Sequence, residues 1–432
     1  MNKTYQRTAT SANNVAVPET VTVAMADIAQ DMREGLLALA VGTGLQVMAT
    51  LMSEDVTALC GPRGRHDSDR VAVRHGRERG SVTLGGRRVP VVRPRVRAAD
   101  GSGELAVPAY ELFSGPEILG RMAMERMLAG LSTRRYGVGL EPVGATVAAT
   151  ASATSKSAVS RKFVAMTESA LGELLAADLS ELDLVALMVD GVHFAEHVCV
   201  VALGIDIHGV KHPLAIVEGS TENATLVRTL MVDLRERGLD VTRPILAVLD
   251  GSKALRRAVL DVFDKPVLAR CQLHKIRNVR DHLPQRLRGP VERRMREAHH
   301  ADSALAAQAL LEELARELDQ THPGAAGSLR EGLAETLTVL RLGVPPTLAR
   351  TLRSTNAIES MISICRERSR NVKRWKDGKM ALRWCAAGMV EAGAQFRRVN
   401  GHLHLQSLRD ALDHETTETV RPTCHDETVT AA

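Results

Sequence analysis

Leu184-Val185-Ala186-Leu187-Met188-Val189-Asp190-Gly191 is an unbroken apolar run that ends on a carboxylate, and Ile245-Leu246-Ala247-Val248-Leu249-Asp250-Gly251 repeats the pattern further along the chain. Short apolar runs bounded by turn residues read as strands buried on both faces. An Asp at the end of such a strand must be exposed at the sheet edge, bound by something, or left with a desolvation cost of roughly several kcal/mol. One such Asp commonly caps the next helix, and Asp250, just before Ser252, fits that use. Two of them at neighbouring strand ends more often make a metal site.

Working outward, Val198–Ile207 is a second apolar run, closed by His208-Gly209, and Leu214–Val217 is a third. Asn223–Arg237 reads as an amphipathic helix, Ser252–Phe263 as another, and Val267–Ala269 as a short strand. The resulting order is β-β-β-α-β-α-β. Short connections predict hairpins among the first three strands, and the later alternation predicts parallel pairing. From His274 to Leu352 the strand signal disappears, and an Ala/Leu/Arg-rich helical texture is broken only at His322–Gly327 and Pro345-Pro346. Thr355–Arg370 and Met380–Gln395 resume as helices.

Towards the N-terminus, residues 116–178 read as helical. Within them Thr146–Ala153 followed by Thr154–Arg161 has the pattern of a helix-turn-helix, with Lys156, Ser157, Ser160 and Arg161 on the exposed side. An ordinary helical hairpin would show the same short pattern, so both readings stand. Ahead of it, Val82–Leu84, Gly85-Gly86 and Val89–Val92 form a hairpin signature. Eleven arginines lie between Arg63 and Arg97, against Asp67, Asp69 and Glu78. Arg74, Arg77, Arg79, Arg87, Arg88, Arg93 and Arg95 would project from such a ribbon, either onto DNA or onto a neighbouring part of the chain. A second basic cluster, Arg366 to Arg383, holds eight Lys/Arg against Glu367 and Asp377. Two concentrated basic clusters within a net charge of +5 favour a phosphate backbone as partner.

The expected organisation is a disordered segment 1–20, a helical and Arg-rich β-ribbon region 21–115, and a helical region 116–178. An α/β core follows over 179–275, an all-α insertion over 276–352, the last part of the core over 353–410, and a Thr-rich, acidic, disordered tail over 411–432. Aromatic residues are only 2% of the 432 residues, which argues against single-strand binding by base stacking. Six scattered cysteines without a Cys-x-x-Cys pair fit free thiols in a reducing cytoplasm. With no apolar leader and no long uncharged apolar run, a cytoplasmic protein without a membrane partner is expected.

A divalent Mg²⁺ site needs a third hard oxygen ligand. Glu359 is the candidate, in Ser354-Thr355-Asn356-Ala357-Ile358-Glu359-Ser360, where Ser354 or Thr355 would cap a helix. By itself a first-turn Glu is more often a partner of the helix dipole, so the assignment depends on its surroundings. Cys271 and His274, in Cys271-Gln272-Leu273-His274-Lys275, would be half of a zinc site, but no second pair at suitable spacing follows, since His299-His300 are adjacent. A structural or site-shaping role is the better reading, and His193, shortly after Asp190, is either near the site or simply a strand residue.

The blocks Leu187–His193, Val248–Ser252, Cys271–Lys275 and Ser354–Ser360, in this order, resemble the Mutator-type transposases of bacterial insertion sequences over roughly residues 25–400. The resemblance implies a ribonuclease H-like mixed sheet interrupted by an α-helical insertion, preceded by an end-binding region. It implies that Asp190, Asp250 and Glu359 form an acidic triad for two Mg²⁺ ions, with Mn²⁺ able to substitute. It also implies that the partner is double-stranded DNA, both element ends and target, bound by at least a dimer. Arg366, Arg370, Lys373 and Arg374 would then hold DNA near the acids. The stretch Arg374-Trp375 to Arg383-Trp384 departs from the pattern of many members and leaves roles there open. Two other readings remain: a nuclease or resolvase of the same fold that only hydrolyses DNA, and a DNA-binding regulator derived from a transposase. The basic N-terminal region speaks against the first and the intact triad against the second.

Overall fold

The computed structural model describes residues 32–65, 70–219 and 223–418, so the segment 1–20 and residues 419–432 of the expected tail lie outside the described residues. Contacts divide the chain into two units, one made of residues up to 126 with 132–162, the other of 127–131 with 163–432. The division falls inside the helical stretch 116–178.

The first unit starts with helix α1 (Met32–Cys60), followed by strands β1 (Ala72–Leu84), β2 (Arg87–Ala98) and β3 (Glu104–Leu105). The ribbon forms where Gly85 (φ +56°) and Gly86 (φ +81°) supply the two left-handed residues of a tight hairpin turn. Antiparallel pairing runs from Leu84↔Arg87 to Ala72↔Ala98. One face of the ribbon is apolar, and Ala72, Val82 and Val96 pack on Met48, Met52, Val56 and Cys60 of α1. Helices α2 (Pro108–Ser114), α3 (Pro116–Leu128), α4 (Ala145–Thr150) and α5 (Lys156–Ala176) come next. Residues after α4 add a bridge to the ribbon, with Arg88 and Ser152 exchanging backbone hydrogen bonds of 3.0 and 2.8 Å. Residues 146–161 form two successive helices, α4 and the start of α5, as both the helix-turn-helix and the helical-hairpin readings require, with the Ser155 hydroxyl accepting the Ala158 N–H at the start of α5.

In the second unit the expected strand order is found: β4 (Leu184–Phe194), β5 (His197–Asp206), β6 (Lys211–Gly219), α6 (Ala224–Glu236), β7 (Ile245–Leu249), α7 (Lys253–Val262) and β8 (Pro266–Arg270). They make one mixed sheet in the order β6-β5-β4-β7-β8. β4, β5 and β6 pair antiparallel, while β7 joins β4 and β8 in parallel. Alternation along β4 feeds two cores. Leu187 and Val189 face α6 and α7 through Leu230, Leu234, Leu255 and Val259. Ala186 and Met188 face the other layer, built from α15 (Asn356–Ser369), α16 (Gly378–Gln395) and α17 (Leu405–Glu418), below.

The insertion is all-helical, as the missing strand signal predicts: α8 (Gln272–Asp281), α9 (Gln285–Ala298), α10 (Ala304–Asp319), α11 (Pro323–Arg330), α12 (Leu333–Thr336), α13 (Thr338–Arg341) and α14 (Pro346–Leu352). It has its own core around Val279, Met295, Leu311, Leu314 and Leu329. α17 differs from the expectation of an irregular tail from 411. Leu405, Leu408 and Leu412 recur on one face and are fully buried, and Arg341 pairs with Glu415 at 2.9 Å, so the acidic end continues as helix to Glu418.

Candidate active site

Asp190 does not end its strand. β4 continues to Phe194, paired with β5 throughout, and Asp190 lies opposite Val201. Its parallel neighbour β7 pairs with β4 only as far as Met188↔Val248, so Asp190 stands just beyond the last shared rung. Asp250 follows Leu249, the last residue of β7, at the same end of the sheet. Strand placement therefore brings the two aspartates side by side, as the paired apolar runs anticipate.

Local hydrogen bonds fix each carboxylate. Asp190 Oδ1 accepts the Gly191 N–H at 2.8 Å, and Asp250 Oδ1 accepts the Ser252 N–H at 2.8 Å. The side chain that caps α7 is Ser252, whose hydroxyl accepts the Leu255 N–H, so Asp250 is not used as that helix's cap. Gly251 between them has φ +106°, and a Cβ there would meet Arg270 Nε at 2.2 Å. The turn thus requires glycine for both its conformation and its neighbour.

Glu359 is in the first turn of α15, which the N-cap Thr355 begins without a side-chain cap. The Thr355 hydroxyl is turned instead to Glu359, donating to Oε1 at 2.8 Å. The same hydroxyl lies 3.4 Å from Cys271 Sγ and 3.4 Å from His274 Nδ1. His274 Nε2 is 3.8 Å from Glu359 Oε1. Cys271, His274 and Glu359 are close enough to share an ion, but the Thr355 hydroxyl stands among them and bonds to the same groups. Thr355, fully buried, joins this cluster, although the sequence presents it only as a helix cap.

Electrostatics tie these groups into one cluster. Burial, chiefly, pushes the Asp190 carboxyl up from 3.8 to about 6; the Gly191 N–H opposes this, Asp250 and Glu359 add repulsion, and His274 opposes it. The hydrogen bond with Cys271 holds His274 above its ordinary value against burial, with electrostatic help from Cys271, Glu359 and Asp250. Burial alone would raise Cys271, but hydrogen bonds from His274 and Thr355 outweigh it and lower the thiol. His193 is exposed, and its odd separation from Asp190 along β4 puts it on the other face of the strand, so it does not join the cluster.

The basic residues divide by environment. Arg87 is buried and donates to the Glu141 carbonyl at 2.5 Å; Arg88 is spent on Ser81, Thr83 and the Ser114 carbonyl. These two arginines hold the ribbon to its own unit, Arg87 buried and Arg88 partly exposed. Arg93 and Arg95 pair with Glu78 and Glu104, and Arg74 donates to the Gly61 carbonyl at 2.7 Å. Arg77 and Arg79 are exposed, as are Lys156, Ser157, Ser160 and Arg161 at the start of α5. Arg366, Arg370, Lys373 and Arg374 are exposed on and just after α15. Of the two tryptophans beyond them, Trp375 packs on Phe194 (4.8 Å between ring centres) and Trp384 on Phe163 (4.5 Å).

No helix among the described residues is long and apolar enough to cross a membrane. A family model described as "Transposase, Mutator family" matches residues 17–399. A transposase for insertion sequence element IS6120 from Mycolicibacterium smegmatis is 30% identical over 255 residues, covering 57% of this chain and 78% of that protein. A transposase for insertion sequence element ISRM5 from Rhizobium meliloti is 25% identical over 394 residues, 91% of this chain and 96% of that protein. A third, for element IST2 of Acidithiobacillus ferrooxidans, is 28% identical over 173 residues, 40% of this chain and 57% of that one. With a family match that takes in all three acids, the ribbon and the helical insertion, the chain belongs to the Mutator family of transposases.

Proposed function

We propose that Asp190, Asp250 and Glu359 together hold two Mg²⁺ ions, Mn²⁺ substituting, and carry phosphoryl transfer at the inverted-repeat ends of an insertion sequence. In this reading the five-stranded sheet is a ribonuclease H-like core, split by the helical insertion between its second and third acids. One observation carries the proposal. Asp190 is a largely buried carboxylate driven up to about 6, with two further acids adding to the penalty and only the Gly191 N–H and, as a positive charge, His274 relieving it. Such a cluster has a deficit of positive charge, and its all-carboxylate donor set suits a hard divalent cation.

When bound, Mg²⁺ would supply Lewis-acid activation of a water or 3′-hydroxyl and stabilise the leaving oxygen of an in-line displacement. The protein's own part is placement. β4 and β7 present two acids from rigid neighbouring strands, and the Gly191 and Ser252 N–H groups fix which oxygen of each is engaged. Thr355 orients Glu359 through Oε1. His274, biased towards its charged form, keeps a positive group beside the acids. The exposed Arg77, Arg79, Lys156, Ser157, Ser160 and Arg161 are the candidates for holding element ends, and Arg366, Arg370, Lys373 and Arg374 for DNA beside the acids. Pairing two ends calls for at least a dimer on DNA.

Purified protein with Mg²⁺ or Mn²⁺ should nick and join DNA carrying the cognate ends. Asp190→Ala, Asp250→Ala and Glu359→Ala should each abolish both steps and still bind the ends. Wild-type turnover from any of the three variants would sink the assignment, while hydrolysis without joining would favour a nuclease.

A further inference from the structure

Next to the acids, but outside them, the second unit encloses a cavity of about 130 Å³ between α8, the end of α9, α14 and the start of α15. Its lining includes Arg296, His299, His300, Arg350 and Arg353, and no Asp or Glu. Arg296 is held by Glu292 at 2.7 Å, and Arg353 donates to His300 Nε2 at 2.8 Å. Arg350, exposed at the mouth, has no partner among the described residues. His299 is only 6% exposed, and its Nε2 has no hydrogen-bond partner among the described residues. Burial first, then His300, Arg353 and Arg296, push that imidazole down to about 4. Burial, then Arg350 and Arg296, likewise lower Arg353. The groups repel one another with no negative charge in the lining to offset them. At the same wall α15 begins with no side-chain cap, which leaves the positive end of its dipole facing this region.

We propose that this cavity binds a backbone phosphate of the DNA strand engaged at the acids, an inference that rests on the reading of Asp190, Asp250 and Glu359 given above. The guanidinium of Arg350 supplies donors at the mouth, Arg353 supplies charge behind it, and the unpartnered imidazole of His299 lies in the same wall as the reporter of occupancy. Position favours a strand over a free ion. Asn356, in the lining, precedes Glu359 by one turn on the same face of α15, about 4.5 Å along the axis. A chain of phosphates crossing Glu359 would therefore meet the cavity next. The adjacent His299-His300 pair, poorly spaced for zinc, has its use here.

The test uses the full chain in an Asp190→Asn background, so that DNA stays intact, with histidine rings labelled for NMR. Duplex carrying the element end should shift the His299 and His300 resonances at stoichiometric concentrations. Arg350→Gln, and Arg350→Gln with Arg353→Gln, should suppress the shift. They should also flatten the slope of log affinity against log salt by about 0.9 for the one lost phosphate contact. Arg350 is exposed, so the single variant should keep the parent's thermal midpoint and remain informative if the double variant folds poorly. Unmoved histidines with DNA, or an unchanged salt slope, would overturn the proposal. A shift with inorganic phosphate but none with DNA would overturn it too, assigning the cavity to a free anion. DNA cleavage by the Asp190→Asn parent would instead count against the acid assignment and leave the histidine readout intact.

Discussion

Replacing Asp190 with Asn should make the metal-free protein more stable, and the gain should depend on pH. In the folded chain this carboxyl titrates near 6 instead of 3.8, mainly because it is buried, and Asp250 and Glu359 add to the effect. A raised carboxyl pKa favours the protonated form in the fold. The contribution is fully present below 3.8, where folded and unfolded chains both bind the proton, and is lost as pH rises through about 6. Above that, the folded state carries a disfavoured charge worth about 3 kcal/mol. Asn keeps the Oδ1 acceptor for Gly191 and removes the charge. Urea unfolding in chelator should show wild type and variant alike near pH 4, the variant gaining across pH 4 to 6, and a plateau of about 3 kcal/mol above. Millimolar Mg²⁺ should then stabilise the wild type and leave the variant unchanged. A variant less stable than wild type at pH 8, or a difference that does not vary with pH, would refute the picture of a charge-strained cluster.

Four further outcomes follow from named residues. Gly251→Ala forces a side chain into φ +106° and against Arg270, so stability should fall by about 1–3 kcal/mol, read by thermal melting, with a loss of cleavage larger than the loss of end binding. Arg87→Ala should cost about 2 kcal/mol of stability, because it leaves the Glu141 carbonyl without its donor. The exposed Arg77→Ala and Arg79→Ala should leave melting unchanged and flatten the salt dependence of DNA binding in a filter or anisotropy assay. Thr355→Val keeps the volume of a buried residue but removes its hydroxyl from Glu359, and should lower the single-turnover cleavage rate with little change in DNA affinity.

The sheet was legible because its strands are buried on both faces and so are written as unbroken apolar runs; β4, β5 and β7 need no partner information to be seen. Asp190 and Asp250 were legible for the same reason, as polar punctuation in apolar text. Glu359 was not, because any helical acid looks alike until Thr355, Cys271 and His274 are folded against it. For the ribbon arginines the sequence left two readings open, DNA or a neighbouring part of the chain. Arg87 and Arg88 take the second: successive residues on opposite faces, they are engaged within the unit, one by Glu141 and the other by Ser81 and Ser114. Glu141 and Ser114 lie 54 and 26 residues away, where no local pattern reaches. At the other end of the chain the signal was present: Leu405, Leu408 and Leu412 have helical spacing, but the surrounding Asp and Glu read as a solvated tail.

Arg409 gives the fold a schedule. Nearly buried, its guanidinium donates to the Pro244 carbonyl at 2.6 Å, to Asp183 at 2.5 Å and to the Leu184 carbonyl at 2.8 Å. It thereby ties together the entrances of the two strands that deliver Asp190 and Asp250. Asp183 precedes it by 226 residues, so on a translating ribosome both strands leave the exit tunnel long before their clasp is made. A message cut short ahead of codon 409 would encode all three acids and still lack the piece that locks β4 to β7. If the proposed assignment holds, shortened products should carry the surfaces proposed to contact DNA without the Arg409 clasp beneath the two aspartates, and compete with full-length protein for the same ends.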